Sequence, residues 1–168
     1  YTDIHYWTEL AQTLERGCID GLFLPDVLGV YDVYGGNADE ALRSGAQVPL
    51  NDPLQLVPAM AAATRHLGFG VTASVSFEHP FPFARRMSTL DHLTQGRAGW
   101  NIVTSYLSSG ARNLGQPEQL SHVQRYALAE EYLQVCYKLW ETSWEEDAVR
   151  ADRTSGVYTD PSKVHGIE

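Results

Sequence analysis

The stretch GRAGWNIVTSY, Gly96 to Tyr106, decides how the rest of the chain is read. Gly96 stops a helix, and the apolar run after it is short enough for a strand. Asn101 sits inside that run, between Trp100 and Ile102. A carboxamide has two donor hydrogens and an acceptor, and each needs a partner once it leaves water. Water or backbone can provide one, but so can a polar ligand facing the end of the strand.

Working outward, HPFPFARRMSTLDHLTQG predicts a helix with Phe83, Met87 and Leu90 on one face and Gly96 as its terminator. GFGVTAS, before it, predicts a strand. NDPLQLVPAMAAATRHLG predicts a helix capped by Asn51 or Asp52, with Pro53 in its first turn, Gly68 past its end and a kink or restart at Pro58. DGLFLPD reads as a fully buried parallel strand, Leu22 to Leu24. Ile4, Trp7, Ala11, Leu14 and Cys18 recur at helical spacing, with Asp3 as cap and Gly17 near the stop. On the other side, SHVQRYALAEEYLQVCYKLWE predicts a helix opened by a Ser121–Gln124 capping box, its buried stripe being Tyr126, Ala129, Leu133, Cys136 and Trp140. Residues 142–168 are polar and carry no clear period.

Helices and strands therefore alternate, which predicts an α/β fold with parallel strands and right-handed crossovers. A doubly wound sheet and part of a (β/α)8 barrel both fit. No G-x-G-x-x-G or Walker loop follows a strand, which removes the usual support for the former.

The 168 residues are 43% hydrophobic and 20% charged, ordinary for a globular domain with one core. A net charge of -9 argues against nucleic acid as a partner, and no apolar run reaches bilayer length. Cys18 and Cys136 read as buried free thiols in a reducing compartment, the cytoplasm. Glu78-His79 and Asp91-His92 are adjacent pairs with no further ligand at metal spacing, so no metal is expected; His79 could approach a site, and His66 reads as decorating a helix end.

Both architectures gather chemistry at the carboxyl ends of the strands. Asp26, Thr72 and Asn101, with Thr104 and Ser105, fall there. Short hydrogen-bonding groups of this kind suit a planar heterocycle with amide-like edges. Taken singly, Asp26 could close a turn and Thr72 is an ordinary strand residue. His122 and Tyr126 share one face of a helix near its amino end, where free amides favour an anion. Alone, that pair reads better as a solvated first-turn histidine and a core tyrosine. The connection Gly29 to Asn51 is long enough to be functional, as a cover for substrate.

The segments FLPDVLGVYDVYGG, NDPL, GFGVTASVSFEHPFPFARRMSTLDHLTQGRAGWNIVTSY and SHVQRYALAEEY closely resemble the flavin-dependent monooxygenases grouped with nitrilotriacetate monooxygenase component A and dibenzothiophene-sulfone monooxygenase. That group is a branch of the bacterial luciferase-like superfamily. The resemblance implies a (β/α)8 TIM barrel with FMN at its carboxyl rim, and a reaction that uses reduced FMN from a separate flavin reductase and O2 to oxidise an organic small molecule. It carries flavin contacts onto Asp26, Thr72, His122 and Tyr126, with Asn101 beside them; His122, standing at a helix start, is the expected catalytic residue. It also implies a homo-oligomer in the full-length protein. A full barrel needs roughly 250 residues, whereas strands equivalent to about the second to fourth are recognisable here. Residues 1–168 are accordingly expected to be one incomplete domain, the amino-terminal half of the barrel, opening on Tyr1 rather than Met. A non-catalytic flavin binder and an inactive fragment of the barrel are the alternatives.

Overall fold

Asp3 opens the first helix, α1 (Ile4–Arg16), its carboxylate accepting from the His5 amide at 2.9 Å. The computed structural model describes all of residues 1–168. Gly17 ends α1, and Cys18 beyond it takes a left-handed φ of 58° and is exposed. The expectation of a buried Cys18 on the helix stripe is thus corrected: the chain turns away one residue too soon. Cys136 is buried as a free thiol.

Three strands follow, β1 (Gly21–Leu24), β2 (Gly68–Ser74) and β3 (Ala98–Val103), paired in parallel in the order β1-β2-β3. Phe23 aligns with Gly70, and Thr72 with Asn101. The crossover from β1 to β2 contains two helices, α2 (Asp39–Ser44) and α3 (Pro53–Ala62); that from β2 to β3 is α4 (Pro80–Thr94). Asp52 caps α3 by accepting from the Leu54 amide, and Pro53 takes its first turn. Pro58 is accommodated inside α3 without ending it, and the helix stops at Ala62, six residues before Gly68. His66 lies beyond that end, and its amide donates to the Glu15 carboxylate. After β3 come a short helix, α5 (Ser108–Asn113), and the long α6 (His122–Tyr137), which starts with the Ser121–Gln124 capping box. A π-helical turn (Lys138–Thr142) and an antiparallel hairpin, β4 (Val149–Asp152) with β5 (Val157–Thr159), complete the chain.

Strand order that runs with the sequence, and helices packed on one face, make an arc of singly wound βα units rather than a doubly wound sheet. The core lies between sheet and helices: Leu24, Phe69 and Val71 from the strands meet Val57, Met60, Phe83 and Met87 from α3 and α4. The opposite face carries Phe23, Gly70, Thr72 and Asn101. Phe23 is 58% exposed there, which corrects the reading of β1 as buried on both faces. Three strands form an open sheet with no closed barrel; on that inner face Phe23 stays open while Thr72 is buried.

The buried stripe of α6 also differs from expectation. Ala129, Tyr132 and Cys136 are buried, while Tyr126 is 57% exposed and Trp140 is 37% exposed. α6 packs into the core with α4 through Ala129, Tyr132 and Cys136, and in the π-helical turn after it Trp140 Nε1 donates to the Ala84 carbonyl at 3.1 Å. The amino half projects over the carboxyl ends of the strands.

The amino end of the sheet is tied by two side chains. Arg97 donates to the Ala61, Leu67 and Thr94 carbonyls and to the Thr64 hydroxyl at 2.8–3.0 Å. Glu15 accepts from the amides of Arg65, His66 and Leu67 at 2.9, 2.5 and 3.0 Å, which holds its carboxyl below the ordinary range.

Candidate functional site

With its amino end closed, the sheet presents its polar residues at the other end. Thr72 and Asn101 are register partners, and the Asn101 carboxamide donates to the Thr72 hydroxyl at 3.0 Å. This answers where one donor of the half-buried amide goes; its carbonyl oxygen stays available to a further donor. Beyond the strands, the Ser105 and Ser74 hydroxyls are hydrogen-bonded at 2.8 Å, and Ser76 donates to the Thr104 carbonyl at 2.6 Å. Ser105 holds a left-handed φ of 56°, which turns the chain sharply towards Tyr106.

Two open cavities meet here. One, of about 600 Å³, is lined by Asp26, Gln47, Asn51, Thr72, Ser74 and Glu78 among others. The second, of about 950 Å³, lies under the amino end of α6, with Ile102, Tyr106, Leu107, His122, Tyr126 and Leu133 in its walls. Asp26, Val27, Leu28, Gly29 and Phe77 line both. The stretch after β1 is therefore the wall that the two cavities share. Burial pushes the Asp26 carboxyl above its ordinary range, with the charge of Asp52 a second cause.

His122 and Tyr126, one helical turn apart, stack their rings at 4.6 Å between centroids and 29° between planes. Both are exposed and face the larger cavity. Asp26, His122 and Tyr126 are thus brought to one cavity, and Asp26 and Thr72 to the other, with Asn101 attached through Thr72. His79 lines neither, although its neighbour Glu78 lines the smaller.

Residue-by-residue inspection of the sequence misses Tyr31, Tyr106 and Arg125. The Tyr106 hydroxyl donates to that of Tyr31 at 2.9 Å, and Tyr31 in turn donates to Gln47 Oε1 at 3.1 Å. The Tyr31 partner, before burial, raises the Tyr106 phenol above its ordinary value. Arg125 lines the larger cavity and donates to the Leu120 carbonyl. No pattern in the sequence joins Tyr31 to Tyr106 across 75 positions.

Comparison with known proteins agrees with this geometry. The chain is 60% identical to dimethyl-sulfide monooxygenase of Hyphomicrobium sulfonivorans over 99% of its length, and 46% identical to dibenzothiophene-sulfone monooxygenase of Rhodococcus erythropolis over 97%. It spans only 35% and 36% of those two relatives. The crystal structure of a long-chain alkane monooxygenase superposes with a TM-score of 0.95 at 60% identity, covering 98% of this chain and 38% of that one. A riboflavin lyase structure containing modified FMN and riboflavin superposes at 0.90 with 40% identity, covering 99% and 37%. The luciferase-like monooxygenase family model matches residues 1–165. An open arc of parallel βα units agrees with that match, and the chain belongs to the luciferase-like monooxygenase family.

Proposed function

We propose that residues 1–168 form part of one luciferase-like domain, on the flavin-holding side of a two-component monooxygenase. The enzyme takes reduced FMN from a separate flavin reductase and uses O2 to oxidise a small organic molecule. The observation that carries this reading is the convergence of Asp26, the Thr72–Asn101 pair and the His122–Tyr126 stack around one wall.

The residues fit FMN part by part. Its planar ring system has apolar faces, for which Ile102, Leu107 and Leu133 supply walls. Its amide-like edges need donors and acceptors, which Asn101, Thr72 and Asp26 offer. Its anionic tail suits the amino end of α6, where backbone amides and Arg125 lie beside Tyr126. Reduced FMN, when bound, supplies the electrons for activating O2. His122 holds a hydrogen-bonding nitrogen at the cavity, and the Tyr126 ring fixes the imidazole plane. Leu28, Phe77 and Ile102 keep water from the reacting atoms, so that hydrogen peroxide does not form in place of product.

Relatives named for dimethyl sulfide and for a long-chain alkane, together with these apolar walls, favour an uncharged, weakly polar substrate. Exposed apolar side chains such as Phe81, Trp140 and Trp144 suit a homo-oligomer. No helix is long and apolar enough to cross a membrane; the cytoplasm, where a reductase draws on NADH, is the proposed location.

The test is His122→Ala in the full-length enzyme, assayed with a flavin reductase, NADH and O2. Loss of a ligand hydrogen bond should weaken FMN binding about tenfold and lower coupled turnover. Unchanged FMN affinity and turnover would remove His122 from the site. A wild-type protein that binds FMN but oxidises nothing would be a non-catalytic relative.

A further inference from the structure

The segment after β1 is fastened to α5 along its length, and the proposed reaction makes no use of those contacts. Ser109 Oγ donates to the Val30 carbonyl at 2.8 Å, and Asn113 Nδ2 donates to the Leu28 carbonyl at 2.9 Å. These two side chains stand at i and i+4 on α5 and so share one face. Between the two bonds Gly29 lies directly against Gly110. A Cβ at position 29 would come within 2.5 Å of both the Gly110 nitrogen and Ser109 Oγ. Only glycine permits that approach. Farther along, Arg112 pairs with Asp32 at 3.2 Å, a half-exposed contact of small energetic weight.

The fastened segment is also the wall shared by the two cavities, from Asp26 to Gly29. A loop carbonyl with no partner drifts towards water, whereas Leu28 and Val30 each have a fixed donor. We infer that α5 is a clamp, and that Ser109, Asn113 and the Gly29–Gly110 contact are positioning elements. They hold Leu28 and Gly29, in the wall that both cavities share, beside the bound flavin and substrate.

For its chemistry the inference rests on the proposed function. With the wall in place, reduced FMN, O2 and substrate give oxidised FMN, the oxygenated substrate and water. With the wall displaced, the two electrons and two protons of reduced FMN pass to O2 and leave as hydrogen peroxide, with substrate unchanged.

The test uses the full-length enzyme and the Ser109→Ala/Asn113→Ala variant. Each neutral hydrogen bond lost shifts the clamped-to-released equilibrium about fivefold, so cleavage within residues 28–32 by a broad-specificity protease should accelerate roughly twenty-five-fold. With reductase and NADH, the fraction of O2 released as peroxide should rise severalfold. FMN affinity should stay within about twofold of wild type, because the released segment, residues 28–32, contains none of the proposed flavin contacts. Ser109→Thr, which keeps the hydroxyl, should restore part of the coupling. Gly29→Ala should reproduce the uncoupling by pushing the backbones apart. An unchanged cleavage rate within residues 28–32 overturns the clamp. So does faster cleavage with wild-type coupling, or loss of coupling and FMN affinity together, which is general loosening. If the wild-type protein binds no FMN, the proposed function fails, and the cleavage measurement still decides whether α5 clamps the loop.

Discussion

Replacing Phe83 by alanine tests how α6, and with it His122, is held over the sheet. Phe83 is 1% exposed. Its ring lies 4.4 Å from that of Trp100 and 5.9 Å from that of Tyr132, so it joins α4 to both β3 and α6. Truncating a buried phenylalanine costs about 3–5 kcal/mol, from lost transfer energy and the cavity left behind. Two aromatic partners on two different elements limit how far the site can collapse, which puts the expected loss at about 4 kcal/mol. For a chain of this size, that corresponds to a fall in Tm of roughly 8–16 °C. Phe83→Leu keeps most of the volume and should cost only about 1.5 kcal/mol. Urea unfolding of both variants, followed by tryptophan fluorescence, reads the difference because Trp100 borders the cavity. Should Phe83→Ala lose no more than Phe83→Leu, Phe83 is not the joint between the layers and the account of α6 is wrong.

Three other outcomes are expected. The Glu15 carboxyl is held below its ordinary range by amides of the 65–67 turn, so its contribution is present above the unfolded carboxylate pKa and is lost as pH falls through the lower folded value. Glu15→Gln should therefore be less stable than wild type at neutral pH and converge with it in acid, as urea midpoints across that range will show. Asp26 has the opposite sign: burial first, and then Asp52, raise its carboxyl, so its ionised form destabilises the fold at neutral pH. Asp26→Asn should raise the midpoint at pH 7, with the gain fading as pH drops through the raised folded value; an unchanged midpoint at pH 7 would mean the site is wet. Burial lifts the Cys136 thiol to about 11, whereas Cys18 is exposed. Iodoacetamide at pH 8 should add one label to the native chain and two after denaturation; rapid double labelling of the native chain would contradict the packing of α6.

Periodicity carried the order of elements because the helix-facing residues of each element were all apolar. GFGVTAS matches β2 residue for residue, and the capping box at Ser121 marks the start of α6 within one position. It failed where burial depends on what lies opposite. Phe23 and Tyr126 are apolar residues in periodic runs, yet both are more than half exposed, because the core packs on the other face of β1 and on other positions of α6. Short helices were also illegible: α2 and α5 have six residues each, too few for a period to show. At the candidate site, strand-end position alone pointed to Asp26, Thr72 and Asn101. Tyr31 and Tyr106 stayed hidden because their pairing depends on how a loop folds back. The close packing of Gly29 on Gly110 was equally silent, since a glycine between apolar neighbours reads as a simple turn.

Arg97 sets the two ends of the sheet apart in one more respect. Its cation is answered by carbonyl dipoles and a hydroxyl, with no carboxylate among its partners. A guanidinium keeps its proton at any pH a protein survives, and carbonyl groups do not titrate. Acid can therefore discharge Glu15 and neutralise Asp26 while the carbonyl groups around Arg97 go on accepting as before. The base of the arc thus has one tie that acid loosens and one that it does not reach.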